Sequence, residues 1–405
     1  MKKILIILSV LVIAAFGAWL ILRDSEIPIV ETIVDGLPFG SGEDINIPAL
    51  STSEDTVGET TSFDDNITAE DKLFRISNTP VAGFTTFGNL VRYVDRATGH
   101  IYEVNLETNG KIKITNQTLP KIYEAYFRPD GNAVLFRSLE NDSSGVVENL
   151  SLALTPPQST STDALYTVSS TLLRGDINSV AVGSGLPAQA GNTLFYVLRD
   201  TNAIVSSTFT GTSLRTLFQS AFDNWRLERA GNNLLVYTEA SANAPGFAYF
   251  LNSAGGSLSK ILGPLQGLTA IANSNGSRIL YSYFENNGTK LFVKNSQTGA
   301  SSEILPSTLA EKCIWSSKEV NTFFCGTPLI GLSGQEPDNW YLGKTHFSDY
   351  IWRFDTNSET AQLVSNPKTD FDIDLDVLKP KLSSNEDYLV FINKTDQTLW
   401  AIRLN

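Results

Sequence analysis

Histidine and cysteine are nearly missing from this chain. Its 405 residues hold only two of each. No His-x-x-x-His or Cys-x-x-Cys spacing occurs, which excludes the common local zinc motifs. No Gly-x-Ser-x-Gly elbow is present, so an α/β-hydrolase nucleophile is excluded. No glycine-rich phosphate loop follows a strand and opens a helix. Positive charge is also short, with 30 Lys and Arg against 43 Asp and Glu, a net charge of −13. Nucleic acid needs a basic stripe, which this composition does not supply. Electrostatic adhesion to anionic lipid is disfavoured for the same reason. Catalysis, if any, falls to carboxylates, and the sequence calls for no metal and no cofactor.

What the chain does have is a sevenfold echo from Lys72 to Asn405. Apolar strands recur at 90–95, 133–138, 193–198, 234–239, 279–284, 322–327 and 388–393. The spacing is roughly 40–60 residues, that of a propeller blade. Turns such as Gly191-Asn192, Gly231-Asn232 and Asn275-Gly276 precede most of them, and Gly and Asn tolerate the positive φ of tight hairpins. A third strand and a polar outer strand follow in each unit, giving four strands per blade. The predicted fold is an all-β, seven-bladed β-propeller over residues 71–405. The last unit stops after its third strand, while residues 72–76 read like an outer strand. The expectation is that this N-terminal strand completes the last blade and closes the ring, removing an exposed edge. An open β-sandwich or a run of separate hairpins is the alternative.

Residues 1–23 carry Lys2-Lys3 and then an apolar-to-small run from 4 to 22. As a helix that run spans about 28 Å, close to the hydrocarbon thickness. A cleaved signal peptide is the competing reading, but its apolar core is about 7–15 residues and ends at small residues. Here Trp19-Leu20-Ile21-Leu22 stands at that position, and no cysteine follows to take a lipid anchor. Basic residues mark the cytoplasmic side. The expectation is therefore a single-pass signal anchor in the plasma membrane, N-terminus inside and propeller outside the cytoplasm. Residues 24–70 are acidic and rich in Ser, Thr and Gly, too polar to offset their ordering entropy, and read as a flexible linker.

Cys313 and Cys325 flank a predicted hairpin centred near Glu319. Antiparallel pairing about that point sets Cys313 opposite Cys325 and Trp315 opposite Phe323, close enough for a disulfide. Two buried thiols are the alternative. The sixth unit also carries a long insertion, about 326–349, with Trp340, Tyr341, His346 and Phe347. Long loops on rigid scaffolds are frequent binding elements, and Trp and Tyr are common interface anchors. Alternatively these aromatics tuck back over the blade. The run Asp370-Phe371-Asp372-Ile373-Asp374-Leu375-Asp376-Val377 alternates strictly. As a strand it sets four carboxylates on one face, a row able to hold Ca²⁺ or simply to stay wet. It matches no Ca²⁺ loop, because Leu375 stands where the turn glycine belongs, and no metal is assigned.

Pro129-Asp130-Gly131 before Leu135-Phe136 resembles the repeat of TolB-like and, more loosely, WD40-like propellers. Degenerate copies are Asn273-Ser274-Asn275-Gly276 before Ile279-Leu280-Tyr281, and Ser383-Ser384-Asn385-Glu386 before Leu389-Val390-Phe391. The resemblance covers most of 72–405 and implies a propeller. TolB places an α/β domain ahead of its ring, where this chain has an apolar segment and a linker, so partner contacts do not carry over. The expected function is a membrane-tethered scaffold or binding module for an envelope protein, peptide or polymer, with Trp340, Tyr341, His346, Phe347, Asp370, Asp372, Asp374 and Asp376 as candidate binding residues. The alternative is a carboxylate-dependent hydrolase or lyase at the channel mouth, acting on glycans.

Overall fold

A computed structural model describes residues 72–139, 146–158, 164–183, 192–332 and 334–404. The expected membrane span and linker lie outside these residues. Among the described residues no helix is long and apolar enough to cross a membrane.

The described strands form seven four-stranded antiparallel sheets. The first strands of successive sheets touch one another all the way round, from Val81–Phe87 through to Val377–Leu382 and back. They therefore line a central channel, and the sheets radiate from it as blades. Blades are numbered here from the one that begins at Val81. Burial follows from this arrangement. Second strands are sandwiched between neighbouring blades, so Leu90–Asp95 and Tyr388–Asn393 are buried almost throughout. Such strands read as apolar runs rather than as alternations. Third strands alternate, as in Gly288–Asn295. Outer strands such as Ser301–Glu303 are exposed. The core is thus distributed as apolar clusters between adjacent blades.

Turn chemistry is local. In the Pro129-Asp130-Gly131-Asn132 turn, Asp130 Oδ1 accepts the Asn132 amide at 2.9 Å. Gly131 adopts φ 71°, a left-handed conformation that a side chain resists.

The ring closes as expected. Leu73–Arg75 pairs with Leu399–Arg403 in the register Leu73 to Ile402, Phe74 to Ala401 and Arg75 to Trp400. Alternation sends consecutive side chains to opposite faces of the strand. Phe74 enters the cluster shared with blade 1, beside Val81 and Phe84. Leu73 enters the cluster shared with blade 6, beside Phe324 and Ile351. One short strand thereby joins both neighbours of blade 7.

Cys313 and Cys325 are bonded, with S–S 2.08 Å. They face each other across Cys313–Trp315 and Thr322–Pro328, and Trp315 faces Phe323.

The acidic run is corrected. It is not a strand. Pro367 opens a short helix, Pro367–Phe371, whose Asn366 cap accepts the Thr369 amide at 3.1 Å. The helix ends at Asp372, in the left-handed region at φ 56°. The carboxylates therefore share no face. Asp370 turns back onto the Asn366 amide at 2.9 Å. Asp372 and Asp374 both reach Lys368, at 2.9 and 3.0 Å. Asp376 points inward and is fully buried.

Candidate functional site at the strapped channel mouth

The connections between blades and the hairpins between second and third strands emerge on one face of the ring. The blade 6 insertion lies there and contains a one-turn helix, Asp338–Tyr341. It crosses its neighbours as a strap. Asp338 accepts from Ser241 Oγ at 2.8 Å and the Ala242 amide at 2.6 Å, both on blade 4. Leu332 O accepts the Thr289 amide of blade 5 at 3.4 Å. At the other end Trp340 Nε1 donates to Asp376, at the entrance to blade 7.

The root of the strap is a buried ionic knot. Lys312 pairs with Asp349 Oδ2 at 2.8 Å and with Asp376 Oδ1, and none of the three side chains is solvent-exposed. The Lys312 ammonium also lies 5.0 Å from the ring centres of both Trp340 and Phe347. Burial pushes the Asp349 carboxyl up to about 6, against the pull of Lys312. Breaking such a pair strands a charge in a dry interior, so the knot fixes where the strap sits.

This geometry revises the roles expected of the aromatics. Trp340 is 1% exposed; it anchors the strap and offers no surface. Phe347 is half-buried over Lys312. His346 is exposed on the strap. Tyr341 is 41% exposed and donates its hydroxyl to Glu311, on the connection entering blade 6. Of the four aspartates, Asp376 joins the knot, while Asp370, Asp372 and Asp374 remain on the surface of the connection before blade 7.

Below the strap, the first strands bring charge into the channel. Blade 2 contributes Glu124, blade 4 Arg226 and Glu228, and blade 7 Lys379 and Lys381. The signal was present in the sequence: charged residues two apart on a strand share one face. Such pairs do not stand out in the sequence because blades 4 and 7 are far apart along the chain and meet across the channel only when the ring closes. Lys379 sits in a bulge, with φ 51° and a register shift between Leu378 and Lys381. Bulges re-aim side chains and are enriched beside functional sites.

The electrostatics are unusual. Glu228 opens to channel water, yet the ring encloses that water and weakens hydration of the charge. Desolvation, helped by the nearby Glu311, pushes Glu228 up to about 7, against Lys379 and Lys381. Desolvation and then Lys379 push Lys381 down to about 8. Desolvation likewise raises Glu311, against its bond from Tyr341. Burial also works to raise Glu124, but Lys379 and Arg137 outweigh it and its carboxyl is lowered. That Glu228 feels both lysines of blade 7 is a cross-channel effect, since blades 5 and 6 lie between. Perturbed pairs of this kind in a concave site are functional candidates. Among the described residues no group of three or more His, Cys, Asp or Glu gathers closely enough to hold a metal. A separate cavity of about 110 Å³ between blades 2 and 3 is lined by Ser151, Ser169 and Phe209, with Arg128 beside it; Arg128 is paired to Asp130 at 2.7 Å, and no opposed titrating groups meet there.

No protein-family model matches the chain, and no curated protein matches it. Among solved structures it is similar to an oligogalacturonate lyase from Vibrio parahaemolyticus, with 11% identity, 82% of this chain and 93% of that chain covered, and a TM-score of 0.54. It is similar in the same degree to an oligogalacturonate lyase in complex with manganese, at 10% identity, 82% and 93% coverage and a TM-score of 0.54. TolB from Acinetobacter baumannii also aligns, at 12% identity over 67% of this chain and 62% of that one, with a TM-score of 0.42; no residue correspondence is drawn from it. At these identities the likeness shows the fold. The chain is a seven-bladed β-propeller.

Proposed function

We propose that this chain is a membrane-tethered propeller outside the cytoplasm, binding a ligand or partner of the cell envelope at its strapped channel mouth. The observation that carries the reading is the meeting of Glu228, Glu311, Tyr341, Lys379 and Lys381, from blades 4, 6 and 7, at one opening. Rigid strands hold three of the five residues, Glu228, Lys379 and Lys381, and preorganised polar groups in an enclosed site favour selective binding. The tether and its direction rest on the apolar run at 4–22 and the Lys2-Lys3 pair before it. Capture from native membranes by the full-length chain tests the site. Loss of the captured species in both Tyr341→Ala and Lys379→Ala, with the ring folded, supports it. Equal capture by both variants sinks it. Protease added to spheroplasts tests the placement: release of a core beginning near residue 70 supports it, and full protection refutes it.

One observation favours a second reading, in which the mouth is catalytic. A carboxyl held near 7 and an amine held near 8 face the same channel, values suited to a general acid and a general base at neutral pH. Oligogalacturonate lyases share the fold. In an elimination the neutral Lys381 amine would take a proton beside a carbonyl, and the protonated Glu228 would give one to the departing oxygen. The manganese named with one of those lyases has no matching donor group among the described residues, and no step is drawn through it. Unsaturated product accumulating from a uronate oligomer, and abolished by Glu228→Gln, separates this reading from plain binding.

A further inference from the structure

This inference rests on the channel mouth being the binding site and concerns what it binds. The charges of the channel do not all cancel internally. Glu124 accepts from Arg137 at 2.7 Å and from Tyr126 at 3.2 Å. Arg226 pairs with Glu239. What remains divides into two poles. The negative pole is Glu228 on blade 4 with Glu311 on the connection entering blade 6. Glu228 forms no hydrogen bond or ion pair among the described residues, and Glu311 has only the Tyr341 hydroxyl, a neutral donor. The positive pole is Lys379 with Lys381, both on blade 7. Lys381 bonds the carbonyl of Phe84 at 2.8 Å. Lys379 makes a long ion pair with Glu124 Oε1 at 3.7 Å, while Arg137 holds the other oxygen of that carboxylate at 2.7 Å, so one carboxylate is shared between two cations.

Like charges repel within each pole, and among the described residues no ion pair joins the two. A ligand that sets an opposite charge against each pole gains from both at once. An anion alone relieves the lysines and meets Glu228 and Glu311. A cation alone does the reverse. Both are rejected by the pole they do not match, which is how a site discriminates. We infer that the channel mouth takes a zwitterion, a small amino acid derivative or peptide end, with its amine toward Glu228 and Glu311 and its carboxylate toward Lys379 and Lys381. The chemistry is matched at each end: an ammonium has three donors and no acceptor, and a carboxylate accepts from two sides. The bulge at Lys379 aims the positive pole; bulges also occur in the first strands of blades 1, 2 and 3.

The test is titration calorimetry of the full-length protein in detergent with alanyl-alanine, its N-acetyl form, its C-terminal amide and digalacturonate. Capping changes the ligand and leaves the protein folded. The free dipeptide is expected to bind, with each cap weakening it at least tenfold. Glu228→Gln should shrink the acetylation effect to below twofold and leave the amidation effect. Lys381→Met should do the converse. Caps without effect, digalacturonate binding more tightly than the dipeptide, or no dipeptide binding at all would overturn the inference. If the dipeptide fails while membrane capture still depends on Tyr341 and Lys379, the zwitterion is wrong and the site stands. If capture is also indifferent to those residues, the site itself is wrong.

Discussion

Trp340 donates its indole N–H to both carboxylate oxygens of Asp376, at 3.0 and 2.9 Å. Trp340 belongs to the blade 6 strap and Asp376 to the entrance of blade 7. The same carboxylate accepts the Phe347 amide at 3.1 Å and pairs with Lys312. A single buried anion therefore fastens the strap to the ring at both Trp340 and Phe347, and the position of Tyr341, between them, depends on it.

Asp376→Ala should destabilise the protein by about 3–5 kcal/mol, because it leaves Lys312 with Asp349 as its one remaining carboxylate partner. Trp340→Phe keeps a ring over Lys312 and removes only the donor, so about 1.5–3 kcal/mol is expected. Urea denaturation measures both. A loss under about 1 kcal/mol for Asp376→Ala would show that the knot does not hold the strap.

Phe74→Ala should cost about 3–5 kcal/mol, since Phe74 is 3% exposed in the cluster that joins blades 7 and 1. Deleting residues 72–76 should weaken the whole ring, because the Leu399–Arg403 edge loses its partner. Hydrogen exchange confined to blade 7 after the deletion would contradict closure by this strand.

The fold was legible because sandwiching between blades makes second strands apolar and leaves their hairpin turns rich in Gly and Asn. The pairing of Cys313 with Cys325 was legible because a short hairpin has a single centre. The acidic run misled. Alternating Asp and apolar residues satisfy a strand pattern, but Asn366 and Pro367 start a helix ahead of them, and Lys368 gathers Asp372 and Asp374 afterwards. Trp340 looked like a surface anchor because its burial depends on Lys312 and Asp376, each distant in sequence. The channel charges were written as Arg226 with Glu228 on blade 4 and Lys379 with Lys381 on blade 7, each pair two residues apart. Only the closed ring reveals that blades 4 and 7 face each other.

Glu228 sets a pH dependence. Its carboxyl is held at about 7 against an ordinary 4.5. Between those values the folded chain keeps a proton that the unfolded chain has released. Its contribution to stability is therefore full below the unfolded value and lost as pH rises through about 7. Glu228→Gln removes this dependence, so the variant should gain stability relative to wild type on going from about pH 4.5 to about pH 7. Asp349 titrates in the same direction and cancels in the comparison. Denaturation at several pH values checks the sign, and a constant difference would place Glu228 in ordinary solvent.

The Cys313–Cys325 bond closes a loop with a sequence separation of 12, for which chain entropy gives about 3 kcal/mol at most. Because Thr322–Pro328 leads directly into the strap, reduction should speed exchange across 326–349 more than in blades 1 to 5. Uniform exchange with and without reductant would show that the knot at Lys312 holds the strap unaided.

The central claim is that the strapped mouth, and not the outer rim, is the working surface. Photo-crosslinking in intact cells tests it directly, with benzoylphenylalanine placed at the exposed Leu342, beside Tyr341, and, as rim controls, at the exposed Ile112 and Leu172. The account predicts one recurrent adduct mass from position 342, competed by alanyl-alanine and absent at 112 and 172. Adducts from the rim positions with none at 342 would contradict it.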